Sequence, residues 1–228
     1  MPNEPVALAA RSLCTLLLFA GVNVGALAQS EQQRLVNDAD TTLSNFLRDP
    51  QMTWLQDNFA NAKAVLIAPK VVKAGFIFGG SGGRAVLIAR DSKGGKWGGP
   101  VFYTLATASV GFQAGVAVSE MVALVMTDKA LRSLLATSVK LGPDASIAAG
   151  PVGAGAKADF VTDLVTFSRS KGIYGGINLD GTAVTVSDDW NEAYYKKKVQ
   201  PSDIVITMSV RGKGSEKLLD DAARASRR

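Results

Sequence analysis

Six basic side chains, Lys70, Lys73, Arg84, Arg90, Lys93 and Lys96, surround two glycine clusters, Gly79-Gly80-Ser81-Gly82-Gly83 and Gly94-Gly95. Backbone N–H groups at a glycine-rich turn can converge on an anion, and nearby Lys and Arg supply the countercharge that a phosphate needs. Each cation taken singly reads as a solvated surface charge. As a group beside two turns they are the first candidate site. The second is Lys196-Lys197-Lys198, with Arg211, Lys213 and Lys217 farther on. A polybasic run near an anionic surface contributes about 1 kcal/mol per charge and is screened by salt. The same three lysines also suit the negative end of a short helix opened by Asp188, Asp189 and Glu192.

Other chemistries find less support. The sequence has no His, and its single Cys is Cys14. Thiol nucleophiles, histidine bases and His/Cys zinc sites therefore have no residues to use beyond Cys14. An enzyme built here would rely on carboxylates, Lys, Tyr, Ser or Thr. Glu120 stands in the apolar run from Val116 to Met126, either at a strand break or buried with a partner, and no second carboxylate is placed beside it by sequence. Asp188, Asp189 and Glu192 lack calcium-loop spacing, and helix capping accounts for them. Gly79 to Arg84 lacks the Gly-Lys-Ser/Thr ending of a phosphate loop, and Gly153 to Ala158 matches the dinucleotide pattern only by spacing. The expectation is a non-enzymatic protein without metal, cofactor or nucleic-acid partner.

The elements that would hold these residues follow from periodicity. Ser30 and Gln33 have capping-box spacing, and Leu35, Val36, Ala39, Leu43, Phe46 and Leu47 then fall on one helical face. Asp49-Pro50 ends that helix and starts a second, whose apolar face is Trp54, Leu55, Phe59 and Ala62. Strand-length apolar runs follow at Ala64–Ala68, Phe76–Phe78, Ala85–Ala89 and Val101–Leu105, with the glycine clusters as hairpin corners. Gly111–Val118 and Val122–Met126 continue as strands, and Thr127 or Asp128 caps a short helix. The Ala/Gly-rich Leu141–Ala158 predicts close backbone packing against a neighbouring sheet. Phe160–Ser168 is another strand, and Asp180-Gly181 predicts a hairpin joining Ile173–Leu179 to Ala183–Val186. Pro201-Ser202-Asp203 starts a further element, and Ser215–Arg228 reads as a fraying, basic C-terminal helix. Few strands are separated by full helices, which opposes a doubly wound parallel sheet. The fold class expected is α+β: a mainly antiparallel curved sheet or barrel with two N-terminal helices packed on it. Phe102 is assigned to the core, and Trp97 to an interface with acyl chains.

Residues 1–28 read as a secretory signal peptide, with an apolar run from Ser12 to Leu27 and small residues at Ala26 and Ala28 of an A-x-A site. That leaves one domain over 29–228, exported to the periplasm or cell surface and peripheral to the membrane. The formal charge of +5 suits anionic partners such as phospholipid head groups or other polyanionic envelope components, and suits simple solubility equally.

Several stretches together resemble the SYLF domain family. They are Lys73-Ala74-Gly75-Phe76-Ile77, Gly83 with Val86 to Arg90, Gly95-Lys96-Trp97 followed by Pro100, Gly111-Phe112-Gln113-Ala114-Gly115, Leu141-Gly142, Ser146 to Gly153, and Asp188 to Tyr195. They span nearly all of 29–228 in the family's order and spacing. The resemblance implies a lipid-binding module: eukaryotic members bind phosphoinositides, and fungal members also bind actin. This chain shows no SH3 or FYVE domain, and Glu120 stands where the family more often has Asp. An exported domain does not ordinarily meet actin, so anionic-lipid binding is the property carried over, with Lys70, Lys73, Arg84, Arg90, Lys93 and Lys96 as its residues. The alternative is an envelope structural or carrier protein holding an apolar ligand in the sheet.

Overall fold

The computed structural model describes residues 29–75, 78–91, 95–110, 115–158, 161–176 and 179–227. The proposed signal peptide, Lys93, and the strand assigned to Phe76-Ile77 lie outside them. Helix α1 (Glu31–Arg48) begins where expected: Ser30 Oγ accepts the Gln33 N–H at 3.2 Å. The box is only half formed, because the Gln33 amide donates to Asn37 and, at 2.7 Å, to the carbonyl of Gly214. Asp49 accepts from the Gln51 N–H and Pro50 opens a 3₁₀ turn that leads into α2 (Thr53–Asn58).

The next four strands form the frame. β1 (Ala64–Gly75), β2 (Phe78–Arg90), β3 (Trp97–Val110) and β4 (Gly115–Val125) stand in the order β3-β2-β1-β4, all antiparallel. Then come α3 (Asp128–Leu134), β5 (Ser138–Lys140), β6 (Ile147–Ala149), β7 (Leu164–Ser170), β8 (Ile173–Gly176), β9 (Ala183–Val186), α4 (Asp188–Tyr195), α5 (Pro201–Val205) and α6 (Glu216–Ala225). Among the described residues nine strands make one curled sheet in which only β6–β7 is parallel, an α+β half-barrel with the N-terminal helices packed on it, as expected. Among the described residues no helix is long and apolar enough to cross a membrane.

The lower half of the sheet is covered on both faces. Ala64, Leu66, Leu87, Tyr103, Ala123 and Leu164 face α3, α5 and β5, while Val65, Ile67, Val86, Phe102, Val122 and Phe167 face α1, α2 and α6. Burial of this apolar area is the main favourable term, about 25 cal/mol per Å² removed from water. The interior that a carrier would have given to an apolar ligand is filled by Phe102, Tyr103, Phe167, Leu66 and Leu87. Trp97 is also in this core, stacked on Phe59 at 5.7 Å with its indole N–H on Ser226 Oγ, so it does not reach an acyl interface.

Four expectations need correction. Gly79 to Gly83 is not a hairpin corner but strand, held between β1 and β3. None of these glycines has positive φ; two are needed for close approach instead, since a Cβ on Gly83 would lie 2.4 Å from the Lys70 carbonyl oxygen and one on Gly80 3.0 Å from that of Thr107. The strand expected over Ala64–Ala68 does not stop there: β1 runs on through Pro69, with a bulge between Ala68 and Val71 where a missing N–H is tolerated. Asp180-Gly181 makes a turn with Gly181 at φ +78°, but β8 pairs with β7 and β9 with β3 and β5. The turn instead bonds to the end of β5, Gly181 N–H to the Leu141 carbonyl at 2.9 Å. Finally, α6 does not fray. Leu218, Ala222 and Ala225 form a small apolar stripe buried against α1 and β3, and Lys217 bridges Asp40 of α1 and Asp221. Gly150 meets the expectation of close packing, since a Cβ there would collide with the Phe167 ring at 2.2 Å.

Candidate functional site: the hairpin end of the sheet

Above the bulge the four long strands continue without helical cover. Directly paired residues share a face, so the register builds this end row by row. On the face that carries α1 lower down, the first row is Lys70, Arg84 and Thr104, extended by Thr185. The next row is Val118, Val72, Gly82 and Ala106, and the one beyond it is Val116, Ala74, Gly80 and Ala108. These two rows are an uncharged patch of small and apolar residues. Its large side chains are in water: Val72 is 36% exposed, Val118 47% and Val116 73%. The opposite face of the same strands is polar, with Lys73, Ser81 and Thr107 in one row and Ser119 nearer the core.

The charged row below the patch is ordered by specific partners. Arg84 stacks on Trp190 with its guanidinium carbon 4.0 Å from the ring centroid, and donates to Thr104 Oγ1 at 3.2 Å and Ser187 Oγ at 3.1 Å. It therefore ties α4 to β2 and β3. Glu120, in register with Arg169, is held by that guanidinium and accepts from Thr42 Oγ1 of α1 at 3.3 Å. Burial pulls the Arg169 guanidinium down, but the Glu120 carboxylate more than offsets this and holds it above its usual range. Of the two readings of Glu120, it stands inside β4 with a partner and not at a strand break, but it is half-buried and not fully buried. Lys70 and Lys73 are exposed, and among the described residues neither forms an ion pair.

The predicted basic set is thus split. Lys70 and Arg84 are direct cross-strand neighbours, and Lys73 is close by on the other face. Arg90 and Lys96 are at the far end of β2 and the start of β3, about 20 Å from Arg84 at roughly 3.3 Å per strand residue. Arg90 is spent partly on the Ala60 carbonyl at 2.6 Å. The amides of Gly79 to Gly83 serve the ladders on both sides rather than an anion nest. Lys196 ends α4 in the left-handed conformation (φ 59°), and Lys197 and Lys198 are exposed after it. The acids Asp188 and Asp189 open α4, and Gly153 to Ala158 is a loop braced by Gln51 and Trp54, not a nucleotide turn. Among the described residues no group of three or more acids could hold a metal ion.

Sequence reasoning missed the valine rows. Its signal was available in Gly115 to Val118, a run without charge or proline at a strand edge, where exposed apolar strands are ordinarily guarded.

The chain is thus an α+β module whose curled sheet projects an apolar, lysine-bordered end beyond its helices. Residues 106–225 match the family model Ysc84, described as Las17-binding protein actin regulator, and the chain belongs to this family, the one to which the SYLF resemblance pointed. Protein YSC84 of Saccharomyces cerevisiae is 33% identical over 132 residues, which are 55% of this chain and 28% of that protein. LAS seventeen-binding protein 3 of the same yeast is 32% identical over 146 residues, 61% of this chain and 31% of its own length. The human SH3 domain-containing YSC84-like protein 1 is 27% identical over 166 residues, 71% of this chain and 48% of its own. The chain spans less than half the length of these relatives. The family is one of binding and regulatory domains.

Proposed function

We propose that this protein is a non-enzymatic module that docks peripherally on an anionic lipid surface through the hairpin end of its sheet. The observation that carries the reading is the pair of apolar rows, with Val72, Val116 and Val118 exposed on one face and bordered by Lys70. Apolar side chains can enter the acyl boundary while lysines at the border meet phosphate, each basic residue adding about 1 kcal/mol at an anionic surface. Lys73, on the other face, would reach the head groups from the opposite side. The Arg84 guanidinium, committed to Trp190, positions the row rather than leading the contact. The family's description and the name of the yeast LAS seventeen-binding protein 3 record Las17 binding, and a docked module leaves the helix-covered face open for such a partner. An exported, envelope-facing location fits the same reading.

Vesicle co-sedimentation tests it. Vesicles containing about a third anionic phospholipid should bind the protein at low salt, neutral vesicles should bind it weakly, and 0.5 M salt should release most of it. Lys70→Glu with Lys73→Glu should lower binding at least tenfold in a folded protein. Equal binding to neutral and anionic vesicles, or binding indifferent to the double reversal, overturns the proposal.

A further inference from the structure

A cleft of about 560 Å³ opens at the other end of the sheet, between the start of β1, the end of β2, α3 and the end of α5. Three cations line it: Lys63, Arg90 and Arg132. Two carboxylates accompany them, yet among the described residues none of the three cations comes within ion-pairing distance of an acid. Asp91 accepts the Gly95 N–H at 2.9 Å, and Asp128 stands in the first turn of α3. Elsewhere in this molecule acids take their cations: Asp163 has Lys129, Asp40 has Lys217 and Glu120 has Arg169. Here, among the described residues, three positive groups share one space with two carboxylates and form no ion pair with them, a local excess of positive charge.

Apolar side chains share the lining. Leu131 and Val205 are among them, and Ile206, 50% exposed, is one of few large apolar side chains in water away from the hairpin end among the described residues. Unpaired guanidinium and ammonium groups beside an exposed isoleucine match one chemistry, a compact anionic group carrying a short apolar tail. The volume suits a small molecule, since ligand pockets run from roughly 300 to 1,000 Å³. We infer that this cleft binds a soluble amphiphilic anion, an alkyl phosphate or carboxylate, with Lys63 and Arg132 on the anionic group and Ile206 against the tail. Arg90, which gives one N–H to the Ala60 carbonyl, lines the same cleft and retains further donors.

The site does not depend on the vesicle reading, and titration calorimetry with n-hexyl phosphate, inorganic phosphate and n-hexanol tests it directly. Hexyl phosphate should bind saturably and at least tenfold more tightly than phosphate, and hexanol should show no saturable binding. Lys63→Ala with Arg132→Ala should weaken hexyl phosphate at least tenfold, and Ile206→Ser should bring it close to the phosphate value, with circular dichroism unchanged in both. Both variants should sediment with anionic vesicles as the parent does. The inference is overturned if hexyl phosphate fails to bind, binds no better than phosphate, or is indifferent to the double variant. It is also overturned if the double variant loses vesicle binding in step, because the cations would then belong to a lipid-facing surface and not to a small-ligand cleft.

Discussion

The same four strands lead two lives. Below Lys70 each is sandwiched, with side chains on both faces at or near zero exposure; beyond Val71 and Leu105, the last buried positions, the strands carry glycine, alanine, valine and small polar side chains at half-buried to exposed positions. The lower half shows what folding stability requires: Tyr103 donates to the Leu134 carbonyl at 2.7 Å, and burial pushes its phenol up. The upper half contributes little of that kind. Exposed apolar residues in it are retained although burial would be favoured, which is the pattern of a surface that finds its cover elsewhere. On the proposed function, stability and contact reside at opposite ends of shared strands.

Asp163 offers the hardest test of that division. Its carboxylate sits before β7 and joins that strand to the start of α3 and the approach to β6, accepting from Thr127 Oγ1 at 2.5 Å, from the Ser146 N–H and Oγ at 3.0 Å, and from Lys129 at 3.3 Å. Burial alone would push its acid up, but these hydrogen bonds outweigh it and hold it down at about 2. Asp163→Ala should lower unfolding stability by about 3 kcal/mol, as removal of one partner from a buried charged network does, while vesicle binding of the folded fraction stays unchanged. The pH dependence follows in sign. The folded acid titrates below the unfolded one, near 3.9, so its stabilisation is complete above about pH 4 and is lost as pH falls toward 2. Urea midpoints between pH 5 and 2 should fall more steeply in the parent than in Asp163→Ala; parallel curves would refute the assignment.

A smaller effect is expected where the two halves meet. Gly83→Ala places a methyl against the Lys70 carbonyl, and overpacking of this kind costs about 2 kcal/mol. Because it disturbs the bulge that begins the hairpin end, it should also weaken vesicle binding. A variant that loses stability and keeps full binding would show that the two halves are mechanically separate. The smallest effect on stability belongs to Val116→Ser with Val118→Ser. Both side chains are already in water, so thermal unfolding should shift by no more than the equivalent of about 0.5 kcal/mol. Binding to anionic vesicles should nonetheless fall several-fold. If the melting temperature drops and binding holds, the valines are a structural patch and the comparison collapses.

Much of the lower half was legible in the sequence because it obeys local rules. Ser30 and Asp49 declare helix starts, the apolar face from Val36 to Leu47 has one period, and Phe102 sits in an uninterrupted strand core. The errors arise where tertiary approach replaced local preference. Glycines at 79 to 83 read as corners because turns are their usual use, but here they make room for a neighbouring carbonyl. Asp180-Gly181 did form a turn, and which strands it would join depends on distant pairing with β5. Three residues of α6 were too weak a stripe to announce docking, which Asp40 supplies from 177 positions away. The basic set was found as a composition, and only register separates Lys70 from Lys73 and removes Arg90 and Lys96 to the other end.

The bulge at Pro69 has one more consequence, a matter of phase. Ala64, Leu66 and Ala68 point into one core, and after the extra residue Val71 takes up the same side, so even positions change to odd within a single strand. Everything beyond inherits the shift: it is why Val72 aligns with Val118, and why Lys73 falls among Ser81 and Thr107. Were the count one residue shorter, lysine and valine would exchange sides, charge landing on the apolar rows and valine among the polar ones. The chemistry of the whole projecting end is thus written in the parity of one strand, and a single deletion would rewrite it where no single substitution could.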